Sequence, residues 1–178
     1  MKILFLGGPS GSGKSYFASR FLAENGWLHL EIDRHDEGDG IALENLRLEW
    51  DDFWIRHDPS SLDQELRRRA TGFPHMVLSF ASTVVFSADH LRAAAGQFYI
   101  AYLYAHPQFC LQAFVDRERS MPRELAISHW DKHNRDIFGE LSISRNQPLL
   151  IEAFRKDGSR RDPKEIYADI RSRISKIN

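Results

Sequence analysis

Residues 8–15 read Gly8-Pro9-Ser10-Gly11-Ser12-Gly13-Lys14-Ser15. This segment has the spacing G-x-x-x-x-G-K-[ST] of a phosphate-binding loop (P-loop), in which glycines let backbone N–H groups approach phosphate oxygens. Lys14 offers a compact positive charge to the β- and γ-phosphates, and Ser15 offers its hydroxyl to Mg²⁺. We therefore predict that all eight residues bind the phosphates of a nucleotide, that Lys14 is also catalytic, and that Ser15 also binds the metal.

Apolar runs and helical patterns alternate along the chain around this loop. Five runs predict strands: Lys2–Leu6, Trp27–Ile32, His75–Phe80, Gln97–Ala105 and Pro148–Ala153. Helices are predicted over Lys14–Asn25, Leu43–His57, Ala88–Ala95, Pro107–Arg119 and Leu125–Ile137, from a capping box that starts at Ser61, and after an N-cap at Asp162. Continuously apolar strands separated by helices indicate an α/β fold, a parallel sheet with helices on both faces. We expect one domain, residues 1–178.

The composition of the 178-residue chain is that of an ordinary globular protein, with 42% hydrophobic and 28% charged residues. The net charge of −1 gives no reason to expect a nucleic-acid partner. No apolar run approaches the roughly 20 residues that span a bilayer, so no membrane partner is expected. The single cysteine, Cys110, excludes an internal disulfide, and we interpret it as a core residue of a cytoplasmic protein.

Two missing motifs narrow the class of P-loop protein. The sequence contains no Asn-Lys-x-Asp, the motif of guanine-specific GTPases. The third predicted strand, Met76-Val77-Leu78-Ser79-Phe80, ends without the aspartate that holds Mg²⁺ in switch and motor ATPases. These absences favour a small-molecule kinase that uses ATP and Mg²⁺.

An acidic turn, residues 31–40, follows the second predicted strand. Ligands of an open parallel sheet bind beyond the carboxyl ends of its strands, so Asp33 is expected beside the P-loop. There its carboxylate can accept a hydroxyl proton and help hold Mg²⁺. We predict Asp33 as a catalytic and metal-binding residue; the alternative is a solvated acidic loop.

Arg117, Arg119 and Arg123 lie within seven residues, after a predicted helix. Arginines on a mobile lid can neutralise the charge that spreads over a transferring phosphoryl group. We predict Arg117 as catalytic and both Arg117 and Arg119 as nucleotide-binding. The alternative is a charged helix end that pairs with Glu118 and Glu124.

The P-loop, Asp33 and the stretch 116–130 together resemble the gluconate kinase branch of the shikimate kinase-like P-loop kinases. Comparable positions are held by Arg117, Met121, Pro122, Leu125, Ser128 and Trp130, and residues 79–92 are also similar to that branch. The family's glycine and histidine inside the lid are Glu118 and Arg119 here. The resemblance implies a three-layer P-loop NTPase fold with five parallel strands in the order 2-3-1-4-5 and a helical lid at about 116–135. It also implies that the loop 155–161 holds the edge of the nucleotide base.

The acceptor is expected to bind in residues 36–74. This region contains the aromatics Trp50, Phe53, Trp54 and Phe73 and the arginines Arg47, Arg56, Arg67, Arg68 and Arg69. Core packing at helical spacing is the alternative reading of the aromatics, and three consecutive arginines cannot all face one ligand.

The function we predict is transfer of the γ-phosphoryl group of ATP to a sugar acid, a sugar or a similar hydroxyl acceptor. A nucleotide or nucleoside kinase, and a nucleotide sensor without turnover, are the alternatives. Inward-facing arginines in the acceptor cleft would favour a phosphorylated acceptor. ATP is expected to be preferred to GTP, and the chain to be a monomer or a homodimer.

Overall fold

The computed structural model describes residues 1–32, 40–80, 84–143 and 149–174. Five strands within these ranges form one sheet: β1 Lys2–Gly7, β2 Trp27–Glu31, β3 His75–Ser79, β4 Tyr99–Tyr104 and β5 Leu150–Glu152. All the pairings are parallel, and the order is β2-β3-β1-β4-β5. The predicted sheet and its strand order are therefore confirmed.

The helices of the described ranges are α1 Lys14–Tyr16, α2 Gly40–Arg56, α3 Ser60–Arg69, α4 Ala88–Ala94, α5 Pro107–Arg117, α6 Arg123–Ser142 and α7 Pro163–Ile174. Helix α1 continues as π-helical turns over Phe17–Leu22. Helix α6 is longer than the predicted Leu125–Ile137. It passes through Gly139 and keeps Ile137 and Leu141, four residues apart, on its buried face.

The two predicted helix starts have different outcomes. Asp162 caps α7 as expected, since its Oδ1 accepts from the N–H of Lys164 at 2.8 Å. The capping box at Ser61 was wrong. Helix α3 begins at Ser60, directly after Pro59, and Ser60 N–H donates to Oδ1 of Asp58 at 2.9 Å. The carboxylate of Asp58, and not the hydroxyl of Ser61, therefore accepts the hydrogen bond at the start of the helix.

Helices cover both faces of the sheet and bury two apolar clusters, so the three-layer architecture is confirmed. Leu4 and Leu6 point to the cluster formed with α1, α5 and α7, whereas Ile3 and Phe5 point to the cluster formed with α2, α3 and α4. Helix α6 contributes side chains to both clusters. No helix in the described ranges combines the length and apolar character needed to cross a bilayer.

Two interpretations of core residues are confirmed. Cys110 is fully buried, and burial raises the pKa of its thiol to about 12, so the thiol stays protonated and unreactive at neutral pH. Trp50 and Phe53 on α2 pack around Phe5 with ring centroids 5.5 and 6.4 Å away. These aromatics of the acceptor region are therefore core residues.

Candidate active site

The P-loop between β1 and α1 has a backbone conformation that favours glycine at Gly11 and Gly13. Their φ angles are +88° and +93°, in the left-handed region that disfavours side chains. A Cβ on Gly11 would lie 2.0 Å from the carbonyl oxygen of Cys110, and one on Gly13 would lie 2.7 Å from Nη1 of Arg160. The loop is thus pressed against α5 on one side and against residue 160 on the other.

A cavity of about 380 Å³ opens over this loop. Its described lining consists of Gly11, Gly13, Lys14, Ser15, Tyr16, Ala113, Arg117 and Arg160. The structure therefore brings five predicted site residues to one cavity: Gly11, Gly13, Lys14, Ser15 and Arg117. Gly8, Pro9, Ser10 and Ser12 form the loop behind it, where Ser12 N–H donates to the carbonyl oxygen of Pro9 at 3.1 Å.

Ser15 is held by a carboxylate that the sequence analysis did not single out. Its hydroxyl donates to Oε1 of Glu31, the last residue of β2, at 2.8 Å. A serine hydroxyl and a carboxylate are hard oxygen donors of the kind that Mg²⁺ accepts beside phosphate oxygens. Among the described residues, no group of three or more His, Cys, Asp or Glu side chains could hold a metal. The Ser15 hydroxyl and the Glu31 carboxylate fit a Mg²⁺ that would take its remaining ligands from phosphates and water.

Ser79 is the last residue of β3, the strand that ends without the aspartate of switch and motor ATPases. It is fully buried, lies beside Glu31 in the β2–β3 register, and its hydroxyl is 2.8 Å from Nε2 of His29. At this edge of the sheet, the carboxylate near the P-loop is therefore that of Glu31, at the end of β2, and not one at the end of β3. The signal that could have located Glu31 is its place at the carboxyl end of a strand, two residues before Asp33.

The predicted arginines are placed differently. Arg117 lines the cavity, lies over the Phe114 ring at 5.2 Å, and pairs with Glu118 at 2.7 Å with 61% of its side chain exposed. An exposed pair of this kind is worth at most about 1 kcal/mol, so a phosphate can replace Glu118. The guanidinium of Arg119 turns back to the Asp116 carbonyl oxygen at 3.3 Å.

Arg160, from the loop between β5 and α7, is a cavity residue that was predicted only as part of the loop 155–161. Its guanidinium lies 4.7 Å from the centre of the Phe154 ring and packs against Gly13. Arg117 and Arg160 therefore contribute two planar cations to the lining of one cavity, together with Tyr16, which is 65% exposed. Planar groups of this kind can stack on a nucleotide base.

Asp33 lies outside the described residues, so its role stays a prediction. In the acceptor region, the described arginines pair with acids of their own helix. Arg56 pairs with Asp52, Arg67 with Asp63, and Arg68 and Arg69 with Glu65. The pKa of Glu65 falls to about 2, chiefly because Arg68 donates a hydrogen bond to its carboxylate.

A larger cavity, of about 830 Å³, lies beside the ends of β4 and β5. It is lined by Tyr104, His106, Gln108, Phe109, Glu152, Phe154, Arg155 and Lys156. None of these is a P-loop residue, whereas Gly11, Gly13, Lys14 and Ser15 line the smaller cavity.

A complete P-loop between the first strand and first helix of a parallel 2-3-1-4-5 sheet defines a protein of the P-loop NTPase fold. Comparison with solved structures agrees. A gluconokinase from Sinorhizobium meliloti 1021 is 16% identical with a TM-score of 0.50, over 99% of this chain and 93% of that chain. A shikimate kinase from Acinetobacter baumannii, in complex with shikimate, is 15% identical with a TM-score of 0.47, over 99% of this chain and 94% of that chain.

A third structure, of an uncharacterized protein from Eubacterium ventriosum ATCC 27560, is 11% identical with a TM-score of 0.52, over 99% of this chain and 98% of that chain. No protein-family model and no curated protein matches the sequence. At these identities the likeness is one of fold. The predicted resemblance to the gluconate kinase branch of the P-loop kinases is confirmed at that level.

Proposed function

We propose that this chain is an ATP-dependent kinase that transfers the γ-phosphoryl group to a hydroxyl of a small metabolite. The observation that carries the proposal is the single cavity that gathers a complete P-loop, the Glu31-bound hydroxyl of Ser15, and two arginines from separate segments. A nucleotide sensor needs the loop but has no use for arginines directed at a transferring phosphoryl group.

The transfer step assigns a role to each residue. The acceptor oxygen attacks the γ-phosphorus, the bond to the β–γ bridging oxygen breaks, and ADP leaves. Lys14 binds β- and γ-phosphate oxygens, and Arg117 exchanges Glu118 for the equatorial oxygens when the lid at about 116–135 folds over the site. Asp33 accepts the hydroxyl proton. Arg119 would join the nucleotide only after such a movement, because its guanidinium now binds a backbone carbonyl.

Ser15 and Glu31 are the described residues that would hold Mg²⁺, with Asp33 the further predicted ligand. Bound Mg²⁺ supplies neutralisation of the charge on the β- and γ-phosphates. Glu31 orients the Ser15 hydroxyl through the 2.8 Å hydrogen bond. This assignment follows from the hard oxygen donors at the carboxyl end of β2.

A non-phosphorylated acceptor is favoured by the described arginines of α3. Binding a phosphate group would require cations that face the cleft. Arg68 and Arg69 share Glu65 on their own helix, and the pKa of Glu65 is lowered to about 2, so a phosphate displaces Glu65 less easily than it displaces Glu118 from Arg117. A sugar, a sugar acid or a similar hydroxyl compound therefore suits the site better than a nucleotide acceptor.

An acceptor screen tests the proposal. The purified chain is incubated with ATP, Mg²⁺ and a panel of sugars, sugar acids, polyols and nucleosides, and ADP release is followed in a coupled assay. We expect release that depends on one class of acceptor and is abolished by Lys14→Ala, since that side chain serves phosphates. ADP release that no acceptor changes, or nucleotide binding without any release, would count against the kinase. Turnover with nucleosides alone would select the alternative kinase.

A further inference from the structure

Two side chains of α6 form hydrogen bonds with the backbone of the P-loop at Ser10. The indole Nε1–H of Trp130 donates to the carbonyl oxygen of Ser10 at 2.8 Å. The N–H of Ser10 donates to Oδ1 of Asn134 at 2.7 Å. A third hydrogen bond, from Nδ2 of Asn134 to the backbone carbonyl oxygen of Trp130 at 2.8 Å, fixes the Asn134 side chain to the preceding turn of α6. Both backbone polar groups of one loop residue are thus held by one helix turn.

Burial raises the free-energy cost of losing these hydrogen bonds. Asn134 is 1% exposed and Trp130 is 6% exposed, so their polar groups have little access to water. Hydrogen bonds in such surroundings are costly to lose, because each unpaired group keeps its desolvation penalty. The partners lie 120 and 124 residues away from Ser10 in sequence, so the contact depends on how α6 is placed against β1.

We infer that Trp130 and Asn134 are positioning residues of the nucleotide site, which hold the P-loop in its phosphate-binding shape before the nucleotide arrives. The inference rests on the proposed function. Ser10 precedes Gly11 and the first turn of α1, the segment whose backbone N–H groups bind phosphate in a P-loop. Fixing Ser10 from outside leaves those N–H groups aligned, so less backbone ordering accompanies phosphate binding.

The same contacts define where a lid on α6 can begin to move. Apart from Ala126, residues 123–129 are exposed, whereas Trp130 and Asn134, and then Ile137 and Leu141, are buried. A swing of the segment before Trp130 would withdraw one small core side chain, Ala126, whereas Trp130 is the point at which the helix is hydrogen-bonded to the P-loop. The moving part of the predicted lid then ends near residue 129.

The test compares phosphate affinity with fold stability in matched variants. Dissociation constants for Mg²⁺·ATP and for inorganic tripolyphosphate are measured by calorimetry, and melting temperatures are measured without ligand. Trp130→Phe removes the indole donor but keeps an aromatic ring, and Asn134→Ala removes both amide contacts. We expect each variant to bind both ligands about tenfold more weakly, because the lost ordering concerns the phosphate cradle alone. Amide exchange at Ser10 should become faster in Asn134→Ala.

Two controls separate positioning from general destabilisation. Trp27 is also buried, but its Nε1 has no hydrogen-bond partner among the described residues, so Trp27→Phe removes an indole without touching Ser10. Ile137→Val removes one methylene group from a buried side chain of α6, one turn after Asn134. Both controls should keep wild-type affinity even where they lower the melting temperature.

Unchanged affinity in Trp130→Phe, with wild-type chain that binds both ligands, would overturn the inference, as would an equal loss in Trp27→Phe. Trp130→Phe keeps the test decisive if Asn134→Ala fails to fold. A wild-type chain that binds neither ATP nor tripolyphosphate would overturn the proposed function itself, and the inference with it.

Discussion

Gly11→Ala probes the contact between the P-loop and α5, and Gly72→Ala is its matched control. The two glycines have nearly the same φ, +88° and +90°. A Cβ on Gly11 would lie 2.0 Å from the carbonyl oxygen of Cys110, whereas one on Gly72 would meet nothing within 4 Å. The pair therefore shares the backbone strain and differs in the clash.

The expected losses follow from these two costs. Placing alanine in the left-handed region costs about 1–2 kcal/mol, which is the whole effect at Gly72. At Gly11 the carbonyl belongs to α5, so a helix has to move by about 1 Å or more, and overpacking of this kind adds about 1–3 kcal/mol. At roughly 2–4 °C per kcal/mol for a domain of this size, Gly72→Ala should lower Tm by about 2–8 °C and Gly11→Ala by about 4–20 °C, with the clash accounting for the difference.

Calorimetric melting and ATP titration check the comparison. Gly11→Ala should also weaken ATP binding, because α5 carries Ala113 and Arg117 into the cavity, whereas Gly72→Ala should leave the affinity of the folded protein unchanged. Equal Tm losses, or a Gly11→Ala variant that binds ATP as well as wild type, would refute the close approach of α5 to the loop.

Asp33→Asn should lower kcat by about 10²–10⁴-fold with ATP affinity little changed, whereas Arg117→Ala should lower kcat and kcat/KM together. Steady-state kinetics with the acceptor from the screen distinguishes them, and weaker ATP binding at unchanged kcat in Asp33→Asn would contradict the proton-acceptor role. Tyr16→Ala should weaken ATP several-fold (roughly 3–10-fold) but leave tripolyphosphate unaffected, since only ATP has a base to stack; calorimetry showing equal losses would refute stacking. Glu65→Gln should be less stable than wild type at neutral pH. The pKa of Glu65 is lowered from 4.5 to about 2, so this stabilisation is present above about pH 4.5 and is lost as the pH falls toward 2. Urea unfolding over pH 2–7 measures it, and a difference that does not change with pH would contradict the role of the ion pair with Arg68.

The fold could be predicted from patterns within short segments of the sequence. Lys2–Leu6 before the loop and Lys14 after it are contiguous in sequence, so strand, turn and helix could be inferred together. Helix α3 was predicted, but its capping box was wrong, and the reason is also local. Ser61 and Gln64 match the capping box, but Asp58 reaches the first free N–H and the helix starts one residue earlier.

The sequence by itself determined the phosphate chemistry of this protein, because a P-loop is one continuous segment whose spacing specifies its backbone. The tertiary structure alone decided which side chains complete the site. Glu31 reaches Ser15 through the parallel pairing of β2 with β3, Arg160 reaches Gly13 from the far end of the chain, and Trp130 reaches Ser10 across 120 residues. Such contacts depend on how helices and strands that are distant in sequence pack against one another. The spacing of residues along the chain does not predict which of them will meet.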